Sequence, residues 1–214
     1  VILGELHCLS PTPLGGLGFA VIALRHEGHV HDLGGGGLAA HDHLERRAQR
    51  GEGGRWYNSL AEFTAEGAIG PVYDKFHLVP FGEYVPWGDT LSRFGIGAFA
   101  AQQGFGYVPG PGARVMTLAG LPPVMPLICY EAVFSRHLRQ ADARPAWLLQ
   151  VTNDAWFGSW SGPYQHLAQA RLRAIESGLP LLRAANTGVS AAIDARGAVR
   201  QQLALNEAGF LDVA

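Results

Sequence analysis

Residues 124–131 read Val-Met-Pro-Leu-Ile-Cys-Tyr-Glu, and residues 147–154 read Trp-Leu-Leu-Gln-Val-Thr-Asn-Asp. Each segment is a short apolar run followed by polar residues, which is the pattern of a buried strand that ends at a loop or a helix. Three further apolar runs bounded by turn-forming residues share this pattern. The sequence therefore predicts five buried strands, at Ile69–Tyr73, Val115–Leu118, Val124–Tyr130, Trp147–Thr152 and Val189–Ile193.

Helices are predicted between these strands. The clearest begins at Ser161-Gly162-Pro163, because proline suits the first turn of a helix, and Gly178 is suited to end it. Residues 131–141 make a second, shorter helix. Apolar residues recur at helical spacing along the longer helix and predict one buried face, formed by Ala168, Leu172, Ile175 and Leu179. Strands that alternate with helices predict an α/β domain.

The composition indicates a globular protein of one domain. The chain has 214 residues, of which 48% are hydrophobic and 16% charged, enough to bury a substantial core. Its net charge of −2 gives no basic face for nucleic acid. No run of about 18 or more apolar residues occurs that would span a bilayer alone. Because the chain begins with Val1 and shows no signal pattern, we expect it to be part of a longer protein.

Residues 6–54 differ from the rest of the single domain that we expect over residues 1–214. They hold most of the histidines and the glycine run Gly34–Gly37, and only Phe19–Leu24 is a candidate strand. We interpret this segment as a divergent insert or the product of a reading-frame error, which resequencing the gene would distinguish. The histidines follow neither a zinc-protease nor a zinc-finger spacing, so no metal site is predicted. Cys8 lies in the same segment and is interpreted as incidental.

Cys129 is the candidate nucleophile. It ends an apolar run and precedes a predicted helix, and such a turn exposes a side chain beside backbone N–H groups that can stabilise a thiolate and bind an oxyanion. A lone buried cysteine is more often only a small hydrophobic residue, and this alternative stays open from the local context alone. Cys8 and Cys129 could in principle form one disulfide, but they lie far apart in sequence and follow no framework spacing, so they do not decide the redox compartment.

Lys75 is the second candidate. It follows a predicted strand and has apolar neighbours, so it is either an exposed lysine on a turn or a buried one with an anionic partner and a task. In a thiol acyl-transfer site it would stabilise the tetrahedral oxyanion, and Glu83 would supply the compensating carboxylate. Asn153-Asp154, at the end of another strand, is a further candidate, although such residues are equally common as turn and helix caps.

These segments resemble the family of bacterial apolipoprotein N-acyltransferases. The lysine segment, residues 73–86, reads Tyr-Asp-Lys-Phe-His-Leu-Val-Pro-Phe-Gly-Glu-Tyr-Val-Pro and is the most specific match. The similarity runs from about Tyr57 to the C-terminus. It also includes the nucleophile segment, the following strand end, and the downstream helix and strand, at Ile128–Glu131, Val151–Gly158, Gln165–Glu176 and Arg183–Gly188.

The resemblance implies a nitrilase-superfamily domain, an α-β-β-α sandwich with a Glu-Lys-Cys triad. Carried over to this chain, it makes Cys129 the nucleophile and Lys75 the stabiliser of the transition state. Glu83, Tyr130 and Glu131 become supporting active-site residues.

The third triad member is where this chain departs from the family pattern. In the family the general base is a glutamate at a strand end, in a Trp-Pro-Glu-like setting. Glu5 follows a short apolar run at about the family's distance ahead of Lys75, but without the Trp-Pro. We assign Glu5 as the expected base, and disfavour Glu52 and Glu62 because neither follows a strand pattern.

The resemblance also implies a reaction and a location. The family takes an acyl chain from a phospholipid as a cysteine thioester and passes it to the α-amine of the diacylglyceryl-cysteine that begins an apolipoprotein, without a cofactor. Its catalytic domain faces the periplasm between transmembrane helices of the inner membrane, and neither set of helices occurs in this chain. Residues 81–112, rich in glycine and aromatic residues, are interpreted as a membrane-facing lid or an ordered surface loop.

Two alternatives remain open at this point. A soluble amidase of the same superfamily would use water as the second acceptor, and amide hydrolysis without lipid would favour it. A catalytically inactive remnant of the acyltransferase is motivated by the abnormal residues 6–54, and a misplaced Glu5 would favour it.

Overall fold

The computed structural model describes residues 2–3, 7–8, 20–21, 24–25, 57–63, 69–84, 86, 107–118, 120–209 and 211–213. Twelve strands lie in these parts of the chain. In chain order they are β1 (Ile2–Leu3), β2 (His7–Cys8), β3 (Ala20–Val21), β4 (Leu24–Arg25), β5 (Ser59–Phe63), β6 (Ile69–Asp74), β7 (Val124–Ile128), β8 (Trp147–Asn153), β9 (Leu181–Asn186), β10 (Ser190–Ile193), β11 (Val199–Leu203) and β12 (Leu211–Asp212).

Four helical segments accompany the strands in the described residues. Helix α1 (Arg136–Gln140) and helix α2 (Gly162–Ser177) are α-helical. Two 3₁₀ helices, Cys129–Val133 and Asp154–Phe157, directly follow β7 and β8. Helix α2 ends at Gly178, whose φ of 66° gives the left-handed cap that a glycine adopts without steric cost.

The largest sheet has five strands in the order β11-β10-β9-β8-β7. Strands β7, β8 and β9 are parallel, whereas β10 and β11 add to the edge in antiparallel pairing. Ile128, at the end of β7, pairs with Val151, near the end of β8. Because parallel strands end at the same edge of a sheet, the two segments that follow β7 and β8 emerge side by side.

Two smaller sheets complete the described strands. The order β2-β3-β5-β6 forms a four-stranded sheet, in which β5 and β6 are an antiparallel pair. A three-stranded sheet joins β12, β1 and β4 and so brings the chain's two ends together.

The sheets and helix α2 stack in layers around two apolar clusters. One cluster lies between the four-stranded and five-stranded sheets and includes Tyr73, Val124 and Val151. The other lies on the opposite face of the five-stranded sheet, where Ala170 and Ala174 of α2 pack against it. The architecture is an α/β sandwich, as predicted. Among the described residues, no second outer helix layer of the predicted α-β-β-α order is present.

Most of the predicted elements are present. Strands β6, β7, β8 and β10 correspond to predicted runs, β3 lies within the candidate run Phe19–Leu24, and β4 begins at the last residue of that run. Strand β7 ends at Ile128 rather than Tyr130, because the chain turns into a 3₁₀ helix at Cys129. The strand predicted at Val115–Leu118 is wrong: it contributes a single bridge, Met116 to Val124. The helix predicted over residues 131–141 is split into the end of the 3₁₀ helix and α1.

The predicted buried face of α2 is also wrong. Leu172 and Ile175 are 49% and 50% exposed, and Ala168 is exposed as well. The face turned towards the sheet carries small alanines and two polar side chains with buried partners, and its members are Pro163, His166, Ala170, Arg173 and Ala174. Among the described residues, no helix is long and apolar enough to cross a membrane.

Candidate active site

Lys75 directly follows β6 and is buried, with 1% of its surface exposed. Its Nζ donates to Oε2 of Glu83 at 2.6 Å. A buried ammonium group is costly unless an anion compensates it, and Glu83 meets that requirement. The alternative of an exposed lysine on a turn is therefore wrong, and the pairing with Glu83 that the sequence predicted is present.

Glu83 is itself held by two further donors. Its Oε2 accepts the Val79 backbone N–H at 2.7 Å, and its Oε1 accepts Nδ2 of Asn58 at 2.7 Å. The Lys75 backbone N–H donates to the Asn58 carbonyl at 2.8 Å. The loop after β6 thus closes on itself around one carboxylate, which fixes the lysine head group.

Cys129 is the first residue of the 3₁₀ helix after β7, and it is a half-buried free thiol. Its φ is +50°, in the left-handed region that side chains other than glycine rarely adopt. Strained backbone of this kind clusters at functional sites and persists only where the surroundings hold it. The turn between strand and helix predicted from the sequence is present, and Cys129 is the residue at which the strand ends and the 3₁₀ helix begins.

Glu131 joins the lysine segment to the cysteine segment. Its carboxylate is fully buried and accepts the backbone N–H groups of Phe76 at 2.9 Å and of His77 at 3.1 Å through Oε1. Through Oε2 it accepts the Ile128 N–H at 2.8 Å and the hydroxyl of Tyr73 at 3.1 Å. Phe76 follows Lys75 and Ile128 precedes Cys129, so one carboxylate fixes both chain segments.

The electrostatics of Glu131 follow from this position. Burial raises its pKa to about 7, and the three backbone N–H donors and the positive charge of Lys75 limit the rise. The same carboxylate, together with burial, raises the pKa of the Tyr73 hydroxyl, which therefore remains a donor. Glu131 is thus positioned to hold the backbone of the site together.

Tyr130 belongs to an aromatic group beside this carboxylate. Its ring meets His77 and Phe134 edge-on, with centroid distances of 5.6 and 4.9 Å, and His77 stacks on Phe134 at 4.2 Å. His137 Nδ1 lies 3.1 Å from the Glu131 carbonyl, which can only accept, so Nδ1 carries the proton. Burial lowers the pKa of His137 to about 4 and also lowers that of His77, so both imidazoles are neutral at pH 7.

A cavity of about 560 Å³ opens on this aromatic side. Its described lining includes Phe76, Tyr84, Tyr107 and Arg136 but neither Lys75 nor Cys129. In the part of the chain that the structure describes, no group of three or more His, Cys, Asp or Glu side chains is arranged to hold a metal ion. Glu5, the expected general base, and the disfavoured Glu52 lie outside the described residues.

A second group of buried polar residues lies beneath Cys129, and of its members only Asp154 was a site candidate from the sequence. Its members are Gln150, Asp154, His166 and Arg183, with exposures of 0, 0, 4 and 0%. The sequence does mark two of them, because Gln150 and Arg183 interrupt otherwise apolar strands. Asn153, by contrast, has the capping role left open above: its Oδ1 accepts the Ala155 N–H at 3.1 Å.

Comparison with known proteins decides the family. The sequence profile of carbon-nitrogen hydrolases matches residues 38–214. This chain belongs to the carbon-nitrogen hydrolase family. Among solved structures, this carbon-nitrogen hydrolase domain is similar in fold to the carbon-nitrogen hydrolase of Helicobacter pylori G27, with a TM-score of 0.54 at 17% identity, over 74% of this chain and 56% of the other.

A second structural neighbour is an amidase from Nesterenkonia sp. AN1 that carries acrylamide added at its active-site cysteine. The TM-score is 0.51 at 19% identity, over 83% of this chain and 69% of that one. At such low identities, these similarities concern the fold alone.

The curated relatives are much closer in sequence. The apolipoprotein N-acyltransferase of Rhodopseudomonas palustris is 50% identical over 158 residues, and that of Bradyrhizobium diazoefficiens 46% identical over 158 residues. Each alignment covers 74% of this chain but 29% of the relative. The carbon-nitrogen hydrolase domain described here therefore spans less than a third of the length of these relatives.

Proposed function

We propose that this chain is the catalytic domain of an apolipoprotein N-acyltransferase. The proposal rests on the carboxylate of Glu131, which accepts four hydrogen bonds. These bonds connect the segment of the buried, ion-paired Lys75 to the segment of Cys129, a free cysteine in a left-handed turn. The relatives that are 44–50% identical to this chain are apolipoprotein N-acyltransferases, and this supports the choice of reaction.

In the first half-reaction, Sγ of Cys129 attacks the ester carbonyl carbon of a phospholipid acyl chain. The C=O electron pair moves to the oxygen, and the Lys75 ammonium group stabilises the resulting oxyanion. The intermediate then collapses, the ester C–O bond breaks, and the lysophospholipid alkoxide takes up a proton. The product is a Cys129 thioester, and the ion pair with Glu83 holds the lysine side chain in place throughout.

In the second half-reaction, the α-amine of a diacylglyceryl-cysteine attacks the thioester carbonyl carbon. The C–S bond breaks, Cys129 is regenerated, and the amine loses a proton as the amide forms. We assign the proton transfers of both steps to Glu5, which would complete a Glu5-Lys75-Cys129 triad. Splitting one acyl transfer into two displacements lets the same oxyanion site serve both.

The substrates imply a membrane setting. A phospholipid donor and a lipid-modified acceptor are both held in a bilayer, so the site must work at a membrane surface. We assign the domain to the periplasmic face of the bacterial inner membrane. Exposed aromatic side chains close to the strand ends fit such a position, because tryptophan and tyrosine rings settle at lipid interfaces; examples are Trp156, Trp160 and Tyr164, which are 83, 88 and 53% exposed.

A transfer assay tests the proposal. The protein is incubated with phospholipid in detergent and a diacylglyceryl-cysteine peptide that has a free α-amine, beside the same peptide with an acetylated amine. We expect N-acylated peptide and lysophospholipid in equal amounts, and no product from the acetylated peptide. Fatty acid released with water as acceptor, without peptide product, would indicate an amidase-like hydrolase instead. A folded protein that gives neither product would contradict the proposal.

A further inference from the structure

Four buried side chains behind the cysteine form one hydrogen-bonded unit, the Gln150 cluster, which comprises Gln150, Asp154, His166 and Arg183. Arg183 Nη2 donates to Oδ2 of Asp154 at 2.5 Å, and its Nη1 donates to Oε1 of Gln150 at 2.6 Å. His166 Nδ1 lies 2.9 Å from Oδ1 of Asp154, and its Nε2 lies 3.0 Å from Nε2 of Gln150.

These contacts fix the orientation of the Gln150 amide. Because Arg183 only donates, the amide oxygen of Gln150 faces it, and the Gln150 nitrogen therefore faces His166. His166 Nδ1 donates to the carboxylate of Asp154, and Nε2 lies between the Gln150 amide and the Cys129 carbonyl. A hydrogen of the Gln150 amide is available for another acceptor.

That acceptor is the backbone carbonyl of the candidate nucleophile. Gln150 Nε2 lies 3.5 Å from the Cys129 carbonyl oxygen, and His166 Nε2 lies 3.3 Å from the same atom. The cluster therefore meets the cysteine from the backbone side and leaves its thiol for the substrate.

Helix α2 holds the remainder of the turn from the same side. Arg173, two helical turns after His166, donates from Nη1 to the carbonyls of Ala132 at 3.2 Å and Val133 at 2.6 Å. Gly188 leaves room for the cluster, since a Cβ there would lie 2.4 Å from Oδ2 of Asp154. The polar face of α2 is thus matched to the carbonyls of the 3₁₀ helix that begins with the cysteine.

We propose that the Gln150 cluster is a positioning device: by holding the Cys129 carbonyl it keeps the left-handed turn that aims the thiol. This inference depends on one part of the proposed function, the role of Cys129 as the nucleophile. Gln150 is the positioning residue, and Asp154, His166 and Arg183 act by fixing its amide.

The test measures acylation of Cys129 by p-nitrophenyl butyrate, an ester that requires neither phospholipid nor lipoprotein. The burst of p-nitrophenolate gives a rate constant for acylation and an amplitude that counts competent molecules. The variants are Gln150→Met, which removes the amide, and Gln150→Glu, which keeps an acceptor for Arg183 but loses the N–H donor. The control is Leu148→Ala, which creates a cavity two residues away from Gln150 on the same buried face of β8.

We expect Gln150→Met to lower the burst rate constant by about 10- to 100-fold with an amplitude near wild type, because a misaimed group reacts slowly although the protein is folded. Leu148→Ala should keep the wild-type rate constant. A wild-type rate constant in Gln150→Met, or an equal loss in Leu148→Ala, would overturn the inference. If Gln150→Met does not fold, Gln150→Glu is judged by the same criteria. A wild-type burst with the ester but no transfer from phospholipid would reject the proposed function and leave this inference standing.

Discussion

Replacing Glu83 by glutamine should destabilise the protein far more than an ordinary surface substitution. Three donors converge on this carboxylate: Nζ of Lys75, the Val79 N–H and Nδ2 of Asn58. Glutamine offers one acceptor oxygen where glutamate offers two, and it removes the charge that compensates the lysine. Among the described residues, Glu83 is the carboxylate that pairs with Lys75, so the variant leaves an ammonium group that is 1% exposed without its anion.

The magnitude follows from the burial. Removing one partner of a buried ion pair costs about 3–5 kcal/mol, and the 13% exposure of Glu83 places the expected loss towards the lower end of that range. In a domain of this size each kcal/mol corresponds to roughly 2–4 °C, so the melting temperature should fall by about 6–15 °C. Lys75→Met should cost less, because Glu83 then retains its two uncharged donors.

Urea unfolding followed by circular dichroism measures these differences, with the double variant Lys75→Met/Glu83→Gln as the matched control. The double variant should be more stable than Glu83→Gln alone, because it no longer buries an unpaired charge. A Glu83→Gln protein within about 1 kcal/mol of wild type would refute the reasoning, since a buried pair cannot lose its anion at so small a cost.

Three further predictions concern the residues around Glu131. Tyr73→Phe should lower the free energy of unfolding by about 1–3 kcal/mol in urea unfolding, because it removes a buried hydroxyl donor to that carboxylate; no change would contradict the contact. Glu131→Gln should cost more than Tyr73→Phe by the same measurement, since an amide presents only one oxygen to four donors. His137 should contribute a pH dependence: burial lowers its pKa from 6.5 to about 4, so unfolding takes up a proton at this residue and removes about 3 kcal/mol of stability as pH drops from 6.5 towards 4. Glu131, whose pKa burial raises to about 7, acts in the opposite direction, so the His137 contribution is measured as the difference from a His137 variant. His137→Asn, which can still donate to the Glu131 carbonyl, should lose that part of the pH dependence, and an unchanged pH profile would assign it to other groups.

Two of the strands that could be predicted have apolar side chains on both faces. Val124–Ile128 and Trp147–Asn153 lie inside the five-stranded sheet and are covered by a sheet on one side and a helix on the other, so their sequences are nearly continuous apolar runs. Val199–Leu203 is an edge strand whose central residues are exposed, and it carries no such run. Val115–Leu118 has the composition of a strand but pairs at only one position.

The face of α2 shows where periodicity fails. Leu172 and Ile175 of that helix point outwards, while the sheet side carries alanines that allow a close approach and polar residues that bond to the cysteine turn. A periodic pattern identifies the helix but ranks large apolar side chains as buried. It has no means of recognising His166 and Arg173 as buried, because their partners come from another part of the chain.

Within the candidate site, side-chain contacts could be predicted from the sequence only where a buried charged residue needs a partner that lies close to it in the chain. Lys75 and Glu83 are eight residues apart in one loop, so the pair could be predicted from local charge compensation. The bridging role of Glu131 depends on bringing the loop after β6 beside the end of β7, which belongs to a different sheet. Glu5 remains a prediction from resemblance.

Intact-mass spectrometry of the protein after incubation with phospholipid in detergent tests the central claim most directly, with Cys129→Ala treated in parallel. We expect a mass gain of one acyl group in the wild-type protein, reversed by hydroxylamine as a thioester requires, and no gain in Cys129→Ala. Equal acylation of Cys129→Ala, or no adduct in wild-type protein shown to be folded, would contradict the assignment of Cys129 as the acyl-accepting nucleophile.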